Sequence, residues 1–473
     1  MRLKPSRVEI GKENPFSNDL LERQESAEVL TELVASIEEP FVFCIDAAWG
    51  EGKTTFLLMW KQHLENAGFS TLYYNAWEND FTDDALVSLI GELDAGVEEL
   101  KLSKGTKIKA KAHLNKMKKI GAGLLKKAIP ATVKIATAGV LDVNEIAEKA
   151  LTNLSETIAK DQIEKYEKSK QSLKGFKNAL KDFANEVSTT SEPKRPLVII
   201  IDELDRCRPT FAIEILEKAK HFFDVSSIIF VIAVDKSQIG HSIRSVYGTG
   251  MDVNGYLKRF IDLEFLLPPP KKGAFAKALF HRFGLKEYFD QRTGSESRYE
   301  YGHLLETFQG LFHVLNLSLR EQEQCFSQLA IAIRTTPPNY KLFPFLLGTL
   351  ITLKTKLPGI YRNFITGKIT ALAVIEKIRE LPGGTEFLDG SNYGAVLEGY
   401  LFACRSRRRD NTELVTFYQS VVDNTKSSEK EKERASYILK AFGSSWDMEG
   451  AFGSLDYILK KLEVSSQFLS STS

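Results

Sequence analysis

The sequence predicts an α/β fold in which a five-stranded, mainly parallel sheet is followed by an all-helical C-terminal region. Five short apolar segments have the composition of buried strands, and stretches of helical periodicity separate them. The first segment, Phe41–Ile45, runs into a glycine-containing turn and then a helix, which is how an α/β unit begins. No strand-like segment follows the Pro268–Pro270 run, so we expect a domain boundary there.

The remaining four strands lie on either side of a long helical insertion. Thr71–Tyr74 is the second strand, and three more segments follow after residue 196: LVIIIDE, IIFVIAVD and FIDLEFLL. Between them, at about 84–192, Lys, Glu, Ala and Leu recur at helical spacing. We therefore predict a domain at 1–270 that contains this insertion, a helical lid or sensor domain at 271–390, and a C-terminal helical region with a frayed tail at 391–473.

The composition excludes several classes of protein. The chain has 473 residues, 43% of them hydrophobic, and 63 Lys and Arg nearly cancel 62 Asp and Glu. These values exclude a disordered chain, a collagen-like repeat and a protein that binds polyanions through its net charge. Four scattered cysteines without metal-ligand spacing indicate a reducing compartment. Lysines interrupt the longest apolar stretch, 121–141, and the first residues do not resemble a signal peptide, so we expect a cytoplasmic protein.

The turn after the first strand has the spacing of a phosphate-binding loop. Residues 47–54, AAWGEGKT, match the pattern GxxxxGKT except that Ala47 replaces the first glycine, which requires a negative φ at Ala47. Glycines let successive backbone amides curl around a phosphate, and the lysine of such a loop reaches the β- and γ-phosphates. The alternative is an ordinary glycine-bearing turn. The predicted nucleotide-binding residues of this loop are Trp49, Gly50, Glu51, Gly52, Lys53, Thr54 and Thr55.

A second half of the site is expected where the strand LVIII ends. Asp202 follows that strand and, with the Thr54 hydroxyl, has the chemistry to hold Mg²⁺. Glu203 is the candidate to polarise an attacking water. Asp235 ends the next strand, where it can sense the γ-phosphate or cap the following helix; the residues alone leave both alternatives open.

Taken together, these segments resemble the KAP family of P-loop NTPases, which includes bacterial phage-exclusion proteins. The WGEGKT loop resembles the family's WGxGK[ST] motif, and YNAW at 74–77 resembles its (F/Y)NxW segment. IDELDR at 201–206 resembles its Walker B motif, with further similarity at AVD (233–235), YLKRFI (256–261) and LSLRE (317–321).

The resemblance implies properties that the residues alone do not. It implies ATP as the nucleotide and a P-loop fold of the additional-strand, catalytic-acid type, with strands near 41–46, 70–77, 196–203, 228–235 and 260–267. It implies that Arg259 or Arg320 touches the γ-phosphate, one of them across a subunit boundary, where the alternative is a surface arginine. Arg23 matches a family position close to the nucleotide. The resemblance also implies a homo-oligomer, or other proteins of an antiphage defence cassette, as partners.

The predicted function is an ATPase that hydrolyses the β–γ bond and acts as a conformational switch or assembly ATPase, with Lys53, Asp202, Glu203, Arg259 and Arg320 as the catalytic set. Two other functions remain open. Residues 101–141 contain eleven lysines and no acidic residue, which suits a nucleic-acid-binding motor or a peripheral membrane contact, although a solvated or protein-contacting helix has the same pattern. The other alternative function is that of a scaffold that binds nucleotide without hydrolysing it.

Overall fold

The computed structural model describes most of the chain, with gaps in the insertion and near the C-terminus. The residues described are 2–6, 8–82, 84–125, 167, 170–188, 195–219, 222, 224–269, 273–291, 297–336, 342–390, 392–405, 412–446, 458–459 and 461–463. The chain divides into two compact units. The first unit comprises Ile10–Asp19 and Arg23–Pro268, and the second comprises Met1–Glu9, Leu20–Glu22 and Pro269–Ser473. The main boundary between the two units lies between Pro268 and Pro269.

The first unit is built on a five-stranded sheet in which every paired neighbour is parallel, which confirms the predicted fold class. The spatial order is β2-β3-β4-β1-β5, so β4 separates β1 from β3. The strands are β1 Phe41–Asp46, β2 Thr71–Asn75, β3 Leu197–Asp202, β4 Ile228–Val234 and β5 Leu263–Leu266. Strands β3 and β4 are buried at every position, which explains their uniformly apolar sequences.

Helices cover the sheet and connect its strands. Their bounds are α1 Gln24–Ser36, α2 Lys53–Asn66, α3 Ala85–Glu99, α4 Lys104–Leu125, α5 (170–188), α6 Pro209–Ala219, α7 Lys236–Tyr247 and α8 Val253–Leu257, and Leu204–Arg206 form one 3-10 turn. Because β1 and β3 both end in loops at the carboxyl edge of the sheet, the two predicted half-sites lie at the same edge.

The described part of the insertion packs onto the sheet through an apolar face. Leu89 and Leu93 of α3, Leu114 and Met117 of α4, and Phe176 of α5 belong to the same buried cluster as the strands. The helical prediction for 84–192 is confirmed within 85–125 and 170–188, and the remainder of that stretch lies outside the described residues.

Every regular element among the described residues of the second unit is a helix. Its helices are α9 Ala274–Arg282, α10 Leu285–Asp290, α11 Ser297–Val314, α12 Leu319–Arg334, α13 Pro344–Lys356, α14 Pro358–Ile365, α15 Ala371–Arg379, α16 Gly384–Asp389, α17 Asn392–Arg405, α18 Thr412–Asp423 and α19 Glu429–Trp446. Phe308, Phe326, Leu350 and Leu401 lie in one buried cluster, so residues from 271–390 and from 391–473 share a core. Across the described residues, no helix combines the length and apolarity needed to cross a membrane.

Candidate functional site

The loop that joins β1 to α2 has the backbone of a phosphate-binding turn. Gly50 has φ 85° and Gly52 has φ 77°, values that an L side chain rarely adopts, and α2 begins directly after Gly52. Ala47 is absent from the residues with positive φ, so the missing first glycine is tolerated. The Ala47 amide donates to the carbonyl of Val234 at the end of β4, 3.2 Å away, which ties the loop to the neighbouring strand.

Lys53 lies inside the loop rather than in solvent. Its side chain is 9% exposed, and its Nζ donates to the Ala47 carbonyl at 3.0 Å. The same ammonium is 3.6 Å from Oδ2 of Asp205, a carboxylate that follows β3. Lys53 therefore bridges the two half-sites, and an anionic ligand at the loop would compete for its ammonium.

Asp202 is fully buried at the carboxyl end of β3. Its oxygens accept hydrogen bonds from the Tyr73 hydroxyl at 2.8 Å, from the backbone amide of Glu203 at 2.8 Å and from the Thr54 hydroxyl. Burial raises the pKa of the Asp202 carboxyl, and these three hydrogen bonds and Lys53 act against that rise. The structure thus brings Thr54 of the loop and Asp202 of β3 into contact.

Glu203 has an unusual backbone and a paired carboxylate. Its φ of 60° is left-handed, a conformation that costs a non-glycine residue about 1 kcal/mol or more and is concentrated at functional sites. Its carboxylate lies 2.6 Å from the Arg206 guanidinium and accepts a hydrogen bond from the Asn75 side chain. Burial raises the pKa of Glu203, and the positive charge of Arg206 opposes this.

Asp235 caps α7 and also contacts the phosphate loop. Its Oδ1 accepts from the backbone amides of Ser237 at 3.0 Å and Gln238 at 3.3 Å, so the helix-cap alternative is observed. Its Oδ2 accepts from the backbone amide of Trp49 at 3.1 Å, so the same side chain reaches the loop. A role toward the γ-phosphate stays a prediction.

Arg23 is 2% exposed and lies beside the loop. Its Nη1 donates to the Glu51 carbonyl at 2.7 Å, while Nε and Nη2 both donate to the Pro268 carbonyl at 3.1 and 2.8 Å. Burial lowers the pKa of this guanidinium, which nevertheless remains the donor of all three bonds. Arg23 thus joins the phosphate loop to the last residue of the first unit.

The remaining predicted residues are Arg259, Arg320 and Thr55. Arg259 is exposed and comes shortly before β5 begins, at the amino edge of the sheet and opposite to the loop, where its charge acts on Tyr247. Within this chain Arg259 therefore does not approach the loop. Arg320 is exposed in the first turn of α12 in the second unit, and its role stays a prediction. Thr55 is half-buried in the first turn of α2.

Four residues that contact the predicted site were missing from the predicted set. They are Tyr73, Asn75, Asp205 and Arg206. All four lie in segments that had been recognised, at the end of β2 or directly after Asp202, but their partners are set by the pairing of strands. The sequence signal that could have identified them is the presence of polar side chains at a strand end close to a predicted metal-binding acid.

Several described lysines of the insertion form ion pairs at the protein surface. Lys107 and Lys111 of α4 pair with Glu98 of α3, and Lys118 pairs with Asp94. Residues 126–141 of the lysine-rich stretch lie outside the described residues.

The site has a glycine-rich loop that leads into a helix, and a lysine side chain lies inside this loop. A threonine hydroxyl of the loop contacts a buried carboxylate at the end of another strand. Both half-sites lie at the carboxyl edge of a parallel sheet, and one strand separates them. These features define a nucleotide-binding domain of the P-loop NTPase class. A family model described as the KAP family P-loop domain matches residues 23–336, and the chain belongs to that family.

Similarity to solved structures is weak. The Aeropyrum pernix ORC2 protein in ADPNP-ADP complexes is 12% identical with a TM-score of 0.32, covering 89% of this chain and 86% of that chain. The ADP form of the same protein is 11% identical, with a TM-score of 0.32 and coverages of 98% and 96%. Such low scores support no further argument. No curated protein sequence matches the chain significantly.

Proposed function

We propose that this protein binds ATP with Mg²⁺ at the loop 47–54 and hydrolyses the β–γ bond slowly, as a conformational switch or assembly ATPase. The observation that carries the proposal is the position of Glu203. Glu203 directly follows Asp202, which contacts Thr54, and it lies at the same edge of the sheet as the phosphate loop. Its backbone is held in a left-handed conformation. A carboxylate in this position suits the polarisation of an attacking water, a task that a scaffold without turnover does not perform.

The residues present fit both ligands. The backbone amides around Gly50 and Gly52 and the N-terminus of α2 suit a phosphate group, and the Lys53 ammonium adds a positive charge. The Thr54 hydroxyl and the Asp202 carboxylate are the oxygen ligands that Mg²⁺ prefers. When bound, the ion would neutralise charge that develops on the transferring phosphoryl group.

The protein's own groups then have separate tasks. Lys53 leaves Asp205 and the Ala47 carbonyl to contact phosphate oxygens. Glu203 orients the attacking water and accepts its proton, which requires a deprotonated carboxylate released from Arg206. Asp202 stays charged and fixed by the Tyr73 hydroxyl. Because Asp202 ends β3 and Glu203 directly follows it, movement of the chain at this strand end would alter binding and hydrolysis together.

The proposal is tested with purified full-length protein by measuring phosphate release from ATP and, separately, the affinity for ATP. We expect Glu203→Gln to lower kcat about 10²–10⁴-fold while ATP still binds. We expect Lys53→Ala to abolish tight ATP binding. Equal hydrolysis by Glu203→Gln and wild type would exclude Glu203 as the base, and binding without any turnover in wild type would leave the scaffold function.

We further propose that the switch acts in bacterial antiphage defence, with a homo-oligomer or cassette proteins as partners, because of the KAP family membership. A second chain would also be needed for Arg259 to reach a phosphate. Lys107, Lys111 and Lys118 of α4 pair with acidic residues of α3, which reduces the positive charge that this helix offers to a nucleic acid.

A further inference from the structure

Three loops at the carboxyl edge of the sheet are joined by a closed ring of hydrogen bonds. Oδ2 of Asp205, after β3, accepts from the Trp49 indole nitrogen at 2.6 Å and from the backbone amide of Asp235 at 2.8 Å. The ring is closed by Oδ2 of Asp235, after β4, which accepts from the backbone amide of Trp49 at 3.1 Å. Strands β3, β4 and β1 are adjacent in the sheet, so the ring links three neighbouring strand ends.

The environment of Asp205 makes these bonds strong and specific. The residue is 5% exposed, and within the described part of the chain its Oδ1 is buried without a hydrogen-bond partner. All of its contacts therefore converge on Oδ2, which also lies 3.6 Å from the Lys53 ammonium. Trp49, in contrast, is 44% exposed, so burial alone does not fix its ring and the bond to Asp205 orients it.

Holding Trp49 matters because it directly precedes Gly50, which has positive φ. A glycine-rich loop is conformationally free, and fixing the backbone of one residue costs about 1–2 kcal/mol. Contacts that fix the loop before a ligand arrives remove this cost from binding.

We propose that Asp205 is a positioning residue of the nucleotide site, which holds the phosphate loop in its binding conformation through the indole of Trp49 and the amide of Asp235. This inference rests on the proposed function. Asp205 acts through its hydrogen bonds to the loop, so the acceptor oxygen is the essential feature and the negative charge is secondary.

Two variants of equal charge separate these roles. Asp205→Asn keeps an acceptor oxygen, whereas Asp205→Ala removes it, and both lose the carboxylate charge beside Lys53. ATP affinity is measured in the full-length protein with a fluorescent ATP analogue, alongside kcat and KM. We expect Asp205→Ala to bind about tenfold more weakly than Asp205→Asn, and to raise KM with kcat within about threefold of wild type.

Trp49→Phe provides an independent test, because it removes the indole N–H donor and keeps an aromatic ring on this partly exposed side chain. We expect it to weaken ATP binding about tenfold in the wild-type background and to have little further effect in the Asp205→Ala background, since both changes break the same bond. Thermal unfolding without nucleotide checks that each variant is folded, and Trp49→Phe remains informative if Asp205→Ala does not fold.

Equal affinity of Asp205→Ala and Asp205→Asn, or additive effects of Asp205→Ala and Trp49→Phe, would overturn the inference. Failure of the proposed function has a different signature: wild type and Lys53→Ala would then show the same lack of ATP binding.

Discussion

Oε1 of Glu203 lies 2.6 Å from the guanidinium of Arg206, three residues further along the chain. The Arg206 guanidinium in turn lies over the ring of Trp77, 5.7 Å from its centroid, at the end of β2. The carboxylate that we propose as the base is therefore paired in this structure, and it must leave Arg206 before it can orient a water. Release of this pair is a step that nucleotide or a partner could control.

Arg206→Ala is expected to move the acid limb of the ATPase pH profile to higher pH. Burial raises the pKa of Glu203 and Arg206 lowers it, so removal of Arg206 leaves a higher pKa. Because a base must be deprotonated, the rate then begins to rise at higher pH. The measurement is kcat/KM for ATP across the acid range.

Arg208→Ala is the matched control, since its guanidinium pairs with Asp80 at 2.8 Å instead of Glu203. An unchanged acid limb in Arg206→Ala, or an equal shift in Arg208→Ala, would contradict the assignment of Glu203.

Tyr73→Phe is expected to weaken Mg²⁺-dependent ATP binding about threefold to tenfold at pH 7, and more at lower pH. The Tyr73 hydroxyl donates to Asp202 and so lowers the pKa that burial raises; without it, a larger fraction of Asp202 is protonated and unable to hold Mg²⁺. Titration of Mg²⁺ at fixed ATP measures the effect. Tyr74→Phe, which loses only a bond to Ser88, is the control and should bind Mg²⁺ as wild type does.

Arg23→Met is expected to destabilise the first unit by about 1–3 kcal/mol, because it removes the three hydrogen bonds that this buried guanidinium donates to the carbonyls of Glu51 and Pro268. The midpoint of chemical denaturation reports the loss. Arg23→Lys should recover only part of the stability, since an ammonium cannot reproduce the planar arrangement of three donors. Arg244→Met, at an exposed position of α7, should change the midpoint little, and an equal effect at both positions would refute the role of Arg23.

Asp235→Ala and Asp235→Ser are expected to separate the cap of α7 from the contact with the loop. Alanine removes the cap and costs about 1–2 kcal/mol, while serine caps the helix nearly as well. The serine side chain is too short to replace Oδ2 of Asp235 as the acceptor for the Trp49 amide, so both variants should bind ATP more weakly. Denaturation and ATP titration are measured on the same samples; full recovery of affinity in Asp235→Ser would mean that the residue serves α7 alone.

The sheet and the phosphate loop could be predicted from sequence because each depends on local patterns. Leu197–Ile201 is a continuous apolar run that suits a strand buried on both faces, and the spacing of Gly50, Gly52 and Lys53 follows from the backbone that a phosphate requires. The family resemblance implied the type of fold and the approximate positions of the strands, and the structure supplies their spatial order.

The polar network around these residues could not be predicted in the same way. Tyr73 reaches Asp202 because β2 and β3 are paired so that Asn75 lies opposite Asp202, and no local pattern encodes that register. Asp205 was visible only as part of a charged run. Its role depends on β4 lying between β1 and β3, which brings Asp235 and Trp49 to the same carboxylate oxygen.

The uniform burial of β3 has a consequence for how the chain reaches its native state. Apolar side chains on both faces allow a shift by one residue to preserve most of the hydrophobic contact, although the shift would turn Asp202 to the opposite face. The penalty for misalignment must then come from polar side chains at the strand end, such as the Asp202 carboxylate, which accepts from the Tyr73 hydroxyl at 2.8 Å. The acids proposed for chemistry thereby also select the alignment of β3 during folding.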